Sequence, residues 1–196
     1  VGDNEFAPFK NIMNEWYAKD ISKKITTTHR LHQEKGIIPT GKLPLYGYTY
    51  DKDRRRIPDI ETAGVVKFIY EEYVQGKTIQ SIADELTKRK IYVPGYWYYK
   101  HFDYNQAKYS KFKDKEKYQW NKAMVQKIVC ENEYDGSLIL RKTRKQSFKN
   151  HKTIINSSNE RIVFPSLFEP LIDPNTYAKA IKIRESRVKT QTPVDL

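Results

Sequence analysis

The fold is decided by two stretches of sequence, Thr78-Ile79-Gln80-Ser81-Ile82-Ala83-Asp84-Glu85-Leu86 and Trp120-Asn121-Lys122-Ala123-Met124-Val125-Gln126-Lys127-Ile128-Val129. In each stretch, apolar residues recur at the spacing of an amphipathic helix. Thr78 and Asn121 stand where a side-chain oxygen caps the first turn of a helix. Two short amphipathic helices in series, with positive charge around the second, are typical of a helix-turn-helix DNA reader.

The outward face of the second stretch provides the candidate DNA-reading residues. Its apolar residues, from Met124 to Val129, are predicted to face the core. A recognition helix contacts base edges with the outward residues near its N-terminus. We therefore predict that DNA is read by Lys122, Ala123, Gln126 and Lys127. The Gln126 amide is suited to adenine, and the two lysines are suited to guanine or phosphate.

Charge and length restrict the class of protein. The chain has 196 residues and a net charge of +12, which favours a polyanionic partner. Nucleic acid is the first candidate and an acidic membrane surface the second. A merely soluble basic protein also fits. No apolar run is long enough to span a bilayer, and the length suits one domain or two small ones.

Cysteine and histidine usage gives no sign of a cofactor. The single cysteine, Cys130, lies within an apolar helical stretch and has no partner for a disulfide or a CxxC zinc motif. A reducing cytoplasm fits this usage. We find no nucleophile with its base, no paired acids, no phosphate-cradling glycine loop and no clustered metal ligands. The sequence therefore favours a binding module over an enzyme and predicts no cofactor.

Residues 6 to 33 are predicted to form one long helix. Pro8 suits its first turn and Gly36 ends it. A helix of this length also suits a connector from another domain. Its apolar residues are predicted to form a single buried stripe, which consists of Phe9, Ile12, Met13, Trp16, Ile21, Ile25 and Thr28.

Residues 36 to 48 contain two prolines and three glycines and are predicted to be an irregular loop. The loop could be a linker, or it could lie in a DNA groove with Lys42 near phosphate. Tyr46 could be a core anchor or a DNA contact. Residues 48 to 57 then predict a small hairpin that turns near residues 52 and 53. Arg54 and Arg55 on this hairpin are candidate phosphate contacts or part of a solvated turn.

Residues 61 to 75 form a clear helical pattern that Gly76 closes. Residues 93 to 119 are different, because aromatic residues alternate with lysines without clear periodicity. Such a segment could stack on bases while neutralising phosphates. It could equally be a surface loop that its own aromatic residues hold together.

Two strands are predicted at residues 138 to 140 and 161 to 164, with a basic, mobile loop between them. Residues 141 to 161 contain seven Lys or Arg residues and one Glu, which is half of the net charge. The predicted backbone contacts in this loop are Arg141, Lys142, Arg144 and Lys145. Asp173 and Pro174 are predicted to begin a last helix, with inward residues Tyr177, Ala178 and Ile181.

Several short motifs occur in an order that is more specific than any one of them. They are residues 14–25, Gly36 to Gly41, residues 44–48, Phe68-Ile69-Tyr70 with Gly76, residues 79–86, Trp120 with Asn132-Glu133-Tyr134-Asp135-Gly136, and residues 168–173. Together these motifs resemble the recombinase domain of large serine recombinases, over roughly residues 6 to 187. The amino-acid sequences of these motifs are most similar to those of the branch that moves conjugative or mobilisable transposons.

The resemblance implies a mainly α fold with a small β-hairpin element (α+β) and a helix-turn-helix-like DNA-binding domain. It implies a connector helix at 1–35 from a catalytic domain, a DNA-binding recombinase domain at 36–187, and a linker or tail at 188–196. The catalytic serine would belong to the upstream domain, so no residue here is assigned to catalysis. Any zinc would belong to a downstream domain.

The resemblance also implies a partner and a place. The partner is double-stranded DNA, and the function is recognition of attachment-site DNA during integration or excision of a mobile element. This piece is expected to be a monomer, its parent a dimer or tetramer on DNA, and the location the bacterial cytoplasm at the nucleoid. Two alternatives remain: a helix-turn-helix transcription regulator that binds a symmetric operator as a dimer, and an RNA-binding module that uses residues 93 to 119.

Overall fold

The computed structural model describes residues 6–37, 43–147, 150 and 152–189, which form helices and small antiparallel strand pairs. The predicted mainly α fold with a small β element is confirmed. The helices are α1 (Ala7–Glu34), α2 (Ala63–Val74), α3 (Ile79–Lys88), α4 (Pro94–Phe102), α5 (Gln106–Tyr109), α6 (Lys122–Val129) and α7 (Pro174–Lys189). The strands are β1 (Tyr48–Tyr50), β2 (Arg56–Pro58), β3 (Leu138–Leu140), β4 (Thr143–Lys145), β5 (Thr153–Ile155) and β6 (Ile162–Phe164).

The chain divides into two compact units. The first, which we call the helix–hairpin unit, contains α1 and the segment Leu138–Phe164. The second, which we call the core unit, contains Leu43–Ser137 and the chain from Pro165 onward. The division predicted from sequence, at residues 35 and 187, follows other boundaries and stays a prediction.

In the helix–hairpin unit, α1 begins and ends where the sequence predicts. Pro8 lies in its first turn, and Gly36 follows it with a φ of +68°. The predicted buried stripe is wrong, however, because Phe9 is 69% and Trp16 is 58% exposed. The other large apolar residues of the stripe are also exposed. Helical spacing shows only that a face could be buried, whereas burial requires a second surface against it.

The basic segment after β3 is ordered over its described residues, so the predicted mobile loop is wrong there. The two predicted strands are confirmed as β3 and β6, which pair with each other, and β4 pairs with β5. Asn156, which is 5% exposed, fixes this second pair. Its Nδ2 donates to the Arg141 carbonyl at 2.8 Å, and its Oδ1 accepts from Arg144 Nη1 at 2.7 Å. A buried amide with partners on both sides is a long-range feature that local charge cannot reveal.

The core unit is built on α2, α3, α6 and α7. α2 packs against α7, and α3 packs against α6. The predicted β1–β2 hairpin is confirmed, with Tyr48 opposite Pro58 and Tyr50 opposite Arg56. Aromatic rings fill much of the centre, where Tyr48 stacks on Tyr134 with ring centroids 6.3 Å apart.

The last helix starts as predicted but turns a different alanine inward. Asp173 Oδ1 accepts from the backbone N–H groups of Asn175 and Thr176, both at 3.0 Å. Ala178 is exposed, whereas Ala180 is 2% exposed. Ala180 follows Tyr177 by three positions and therefore shares its face of the helix.

Residues 93 to 119 are not an irregular loop, because they begin with α4 and continue through α5 to a short 3-10 helix at Glu116–Tyr118. Their rings pack against one another. Tyr96 lies 5.1 Å from Tyr92 and 6.3 Å from Phe112, measured between ring centroids. This packing favours a segment held together by its own aromatic residues over one that offers free rings to bases.

Candidate nucleic-acid interface

α6 forms because its sequence caps it and gives it one apolar side. Asn121 Oδ1 accepts from the Met124 backbone N–H at 3.0 Å, which satisfies a donor that the first turn leaves unpaired. Val125, Ile128 and Val129 are buried. The predicted outward residues are all exposed, and they are Lys122, Ala123, Gln126 and Lys127. The predicted orientation of the helix is therefore confirmed.

The two ends of α6 are held by polar contacts with α2, with α3 and with the segment that follows α3. At its start, Trp120 donates from its backbone N–H to Thr87 Oγ1 on α3 at 3.1 Å, and from Nε1 to the Ile91 carbonyl at 2.9 Å. At its end, the Tyr70 hydroxyl of α2 lies 3.3 Å from the Ile128 carbonyl oxygen. Because both ends are fixed, the exposed side chains of α6 project from a rigid base, which suits a binding surface.

A groove of about 640 Å³ runs along one side of α6. Its walls are the first residues of α3, one side of α6 and the second half of α7. Among the described residues that line it, three are cationic and none is acidic. The lining residues are Tyr73, Thr78, Ile79, Gln80, Lys122, Gln126, Val129, Cys130, Arg184 and Arg187. Lys122 and Gln126 thus belong both to the exposed face of α6 and to this groove.

The α7 arginines are functional candidates that are absent from the residues predicted from sequence. Arg184 Nη1 lies 3.3 Å from the Cys130 carbonyl oxygen and 3.4 Å from Asn132 Oδ1. Arg187 places its guanidinium 4.6 Å from the centroid of the Tyr73 ring. Their three-residue spacing puts both on one side of α7, and this signal was available in the sequence. What the sequence did not show is that α6 lies beside that side.

Cys130 differs from its predicted setting. It follows the last residue of α6 as the C-cap and is exposed. It also lines the groove. The apolar residues before Cys130 predicted that it lies within the helix, but the apolar face of α6 ends at Val129.

The other predicted DNA contacts in the core unit differ in their exposure to solvent. Arg54 and Arg55 are exposed at the turn of the β1–β2 hairpin, and Arg54 lies 5.0 Å from the Tyr50 ring centroid. Tyr46 is 4% exposed and packs edge-on against Trp97 and Trp120. Burial also raises the pKa of its hydroxyl well above the ordinary value. The prediction that Tyr46 contacts DNA is therefore wrong, and the core-anchor interpretation holds.

The remaining candidates lie in the helix–hairpin unit, apart from Lys42, which falls outside the described residues. Arg141 reaches α1, with Nε 3.3 Å from Gln33 Oε1 and Nη2 3.3 Å from Glu34 Oε1. Arg144 and Lys145 are exposed on β4, and Lys142 is half-buried before it. Arg144 is ion-paired with Glu160 at 2.5 Å, which leaves less of its charge for a ligand.

Comparison with known families agrees with the sequence resemblance. The family model described as Recombinase matches residues 60–187, which is more than half of the chain. The chain belongs to the Recombinase family, and its resemblance to serine recombinases is confirmed. Membership gives it a role in recombination and implies DNA as its partner. No match was found among curated proteins or among solved structures.

The match includes α2, α3, α6 and all but the end of α7, which are the helices around the groove. Residues 6 to 59, which also contributed to the resemblance, lie before it. Among the described residues, no helix has both the length and the apolar character that a membrane span requires. Within the same residues, no group of three or more His, Cys, Asp and Glu side chains is placed to hold a metal ion.

Proposed function

We propose that this chain is the DNA-binding domain of a serine site-specific recombinase, and that α6 recognises attachment-site DNA during integration or excision of a mobile element. The observation that carries the proposal is the exposed, partly cationic face of a helix whose two ends are both fixed. An α-helix fits the major groove of B-DNA, where each base pair presents a distinct pattern of donors and acceptors.

Each outward residue of α6 suits a particular contact. The Gln126 amide can donate to N7 and accept from N6 of adenine, which distinguishes it from the other bases. Lys122 and Lys127 can donate to guanine or to a phosphate. Ala123 is small enough for close approach and offers a methyl group to thymine. The face therefore combines one residue that discriminates strongly between bases with three that add affinity or allow close approach to the DNA.

Sequence-independent affinity comes from cations elsewhere on the chain. The candidates are Arg54 and Arg55 at the hairpin turn, and Arg141, Lys142, Arg144 and Lys145 around β4. Lysines and arginines that neutralise phosphates release bound counterions, so binding of this kind weakens steeply with salt. In the proposed scheme this chain recognises the site, and a serine of the catalytic domain implied by the resemblance cleaves the strands.

Enrichment from a randomised duplex DNA pool tests the proposal, because the target sequence need not be known in advance. The wild-type chain should enrich a single motif, and Gln126→Ala should lose the base preference at one position of it while keeping the rest. Gln106→Ala is the matched control, because Gln106 is an exposed glutamine on α5, in a different segment. Enrichment of the same motif with the same preferences by wild type and Gln126→Ala would remove α6 as the reader.

A further inference from the structure

Three cations and no acidic side chain line the groove between α3, α6 and α7, among the described residues. Among the described residues, Lys122, Arg184 and Arg187 form no ion pair. Other cations of the core unit do have a carboxylate partner, such as Arg56 with Glu133 and Arg89 with Glu85. Three unpaired cations that converge on one concave surface favour an anionic ligand.

The size and the walls of the groove indicate what kind of anion fits. A volume of about 640 Å³ is in the range that holds a ligand much larger than one phosphate. The α7 wall presents two guanidinium groups, which match phosphate oxygens in geometry as well as charge. The α6 wall presents the Gln126 amide, whose donor and acceptor suit a base edge.

We propose that this groove holds one strand of duplex DNA, with its phosphates against Arg184 and Arg187 and its base edges toward Lys122 and Gln126. The inference rests on the proposed function and deepens it, because it assigns two different tasks to the two walls. The arginines of α7 set the position of the strand, and Gln126 reads it. Tyr73 and the contacts to the end of α6 hold these arginines in place before DNA arrives.

Cys130 offers a local reporter, because it is the only cysteine of the chain, is exposed and lines the groove. The rate at which N-ethylmaleimide modifies Cys130 is measured on the full chain, without DNA and with a duplex of the enriched motif. At a free duplex concentration of about ten times Kd, modification should be about tenfold slower, since only unbound protein reacts. Inorganic phosphate at the same phosphate concentration should leave the rate unchanged.

Arg187→Gln tests the α7 wall. Loss of one phosphate contact should lower the slope of log affinity against log salt by about 0.9 and weaken binding about eightfold at 0.1 M salt. The loss should be equal for the enriched motif and for random duplex. Arg187→Lys should keep the salt slope of the wild type but only part of its affinity, because lysine retains the charge and not the paired geometry. Lys182→Gln removes the same charge from an exposed position on another side of α7 and should change affinity by less than about twofold. Circular dichroism checks that each variant is folded.

The outcomes separate this inference from the proposed function. If the duplex binds fully, as shown by fluorescence anisotropy, but Cys130 reacts at its free rate, the groove is empty and the inference is overturned. If Cys130 is protected while Gln126→Ala leaves discrimination intact, the groove holds DNA and the recognition role of α6 fails. If no duplex binds at low salt, both are overturned together.

Discussion

Arg56 and Glu133 form a buried ion pair, with Arg56 Nη1 2.5 Å from Glu133 Oε2 and side chains 2% and 3% exposed. Arg56 belongs to β2, and Glu133 belongs to the turn that follows α6. The guanidinium also lies 4.9 Å from the centroid of the Phe168 ring. The pair therefore joins the hairpin that carries Arg54 and Arg55 to the end of the proposed recognition helix.

We predict that breaking this pair from one side destabilises the protein by about 3–5 kcal/mol, because the remaining charge is left buried without its partner. Arg56→Met and Glu133→Gln are the two single variants, and the measurement is the free energy of unfolding in urea. The double variant Arg56→Met/Glu133→Gln should lose less than the sum of the single changes. Glu85→Gln is the control, since its pair with Arg89 is solvent-exposed and screened. Equal effects of Glu133→Gln and Glu85→Gln would contradict the prediction.

Gly136 and Gly64 give a second matched pair. Gly136 has a φ of +87°, and a Cβ there would lie 2.5 Å from the Phe168 carbonyl oxygen. Gly136→Ala should therefore cost about 2 kcal/mol or more, through backbone strain and displacement of the 167–168 segment. Gly64 is the second residue of α2, and apart from its chain neighbours and the helix's own backbone no atom lies within 4 Å of its would-be Cβ, so Gly64→Ala should stabilise by up to about 0.5–1 kcal/mol. Thermal unfolding would show shifts of opposite sign, and shifts of the same sign would contradict this.

The raised pKa values of the buried tyrosines lead us to predict that the protein loses stability at alkaline pH. Burial raises the pKa of Tyr48 to about 12 from an ordinary value of 10.0, and it raises the pKa of four others further. These are Tyr46, Tyr70, Tyr98 and Tyr134. Because the folded pKa values are raised, their contribution is complete below pH 10 and is lost as the pH rises toward the folded values. The unfolding free energy should fall above pH 10, by up to about 1.4 kcal/mol per pH unit for each tyrosine.

Urea unfolding at pH 8, 9, 10 and 11 checks this dependence, with absorbance of tyrosinate as an independent reading. A free energy that stays constant from pH 9 to pH 11 would show that these hydroxyls ionise as readily in the folded chain as in the unfolded one.

The aromatic packing of residues 93 to 119 leads to a fourth prediction. Phe112 contacts Tyr96 and Tyr109, with ring centroids 6.3 Å and 4.8 Å away. Phe112→Ala should lower the unfolding free energy by about 1–3 kcal/mol. It should leave duplex DNA affinity unchanged, because these rings serve the fold.

The RNA-binding alternative is tested separately, by fluorescence anisotropy of labelled duplex DNA with single-stranded RNA as competitor. RNA that displaces the duplex DNA efficiently would favour that alternative.

What the sequence predicts well here is local. The caps at Thr78 and Asn121 and the outward set on α6 depend on residues within one or two turns of one another, and these predictions were correct. Burial of the α1 stripe failed because it depends on a distant surface. The α7 arginines were missed for the same reason, since they form part of a candidate binding surface only because α7 lies beside α6.

Charge patterns were the least reliable guide to order. The basic segment after β3 looked mobile from its lysines and arginines, yet hydrogen bonds from one buried asparagine, Asn156, fix a strand pair there. Tyr46 shows that local composition can also mislead about burial. It follows a glycine-rich loop, which suggested contact with DNA, but its ring packs against the buried residues Trp97 and Trp120. In both cases the decisive partners lie far away in sequence.

The recognition role of α6 is tested most directly by coupling one residue to one base. The affinity of wild type and of Gln126→Ala is measured for the enriched duplex with each adenine in turn replaced by 7-deazaadenine, which lacks the N7 acceptor. We predict that at one adenine the wild type loses about 1–3 kcal/mol, whereas Gln126→Ala loses almost nothing further. Additive losses at every adenine would contradict a base contact by Gln126 and, with it, the assignment of α6 as the recognition helix.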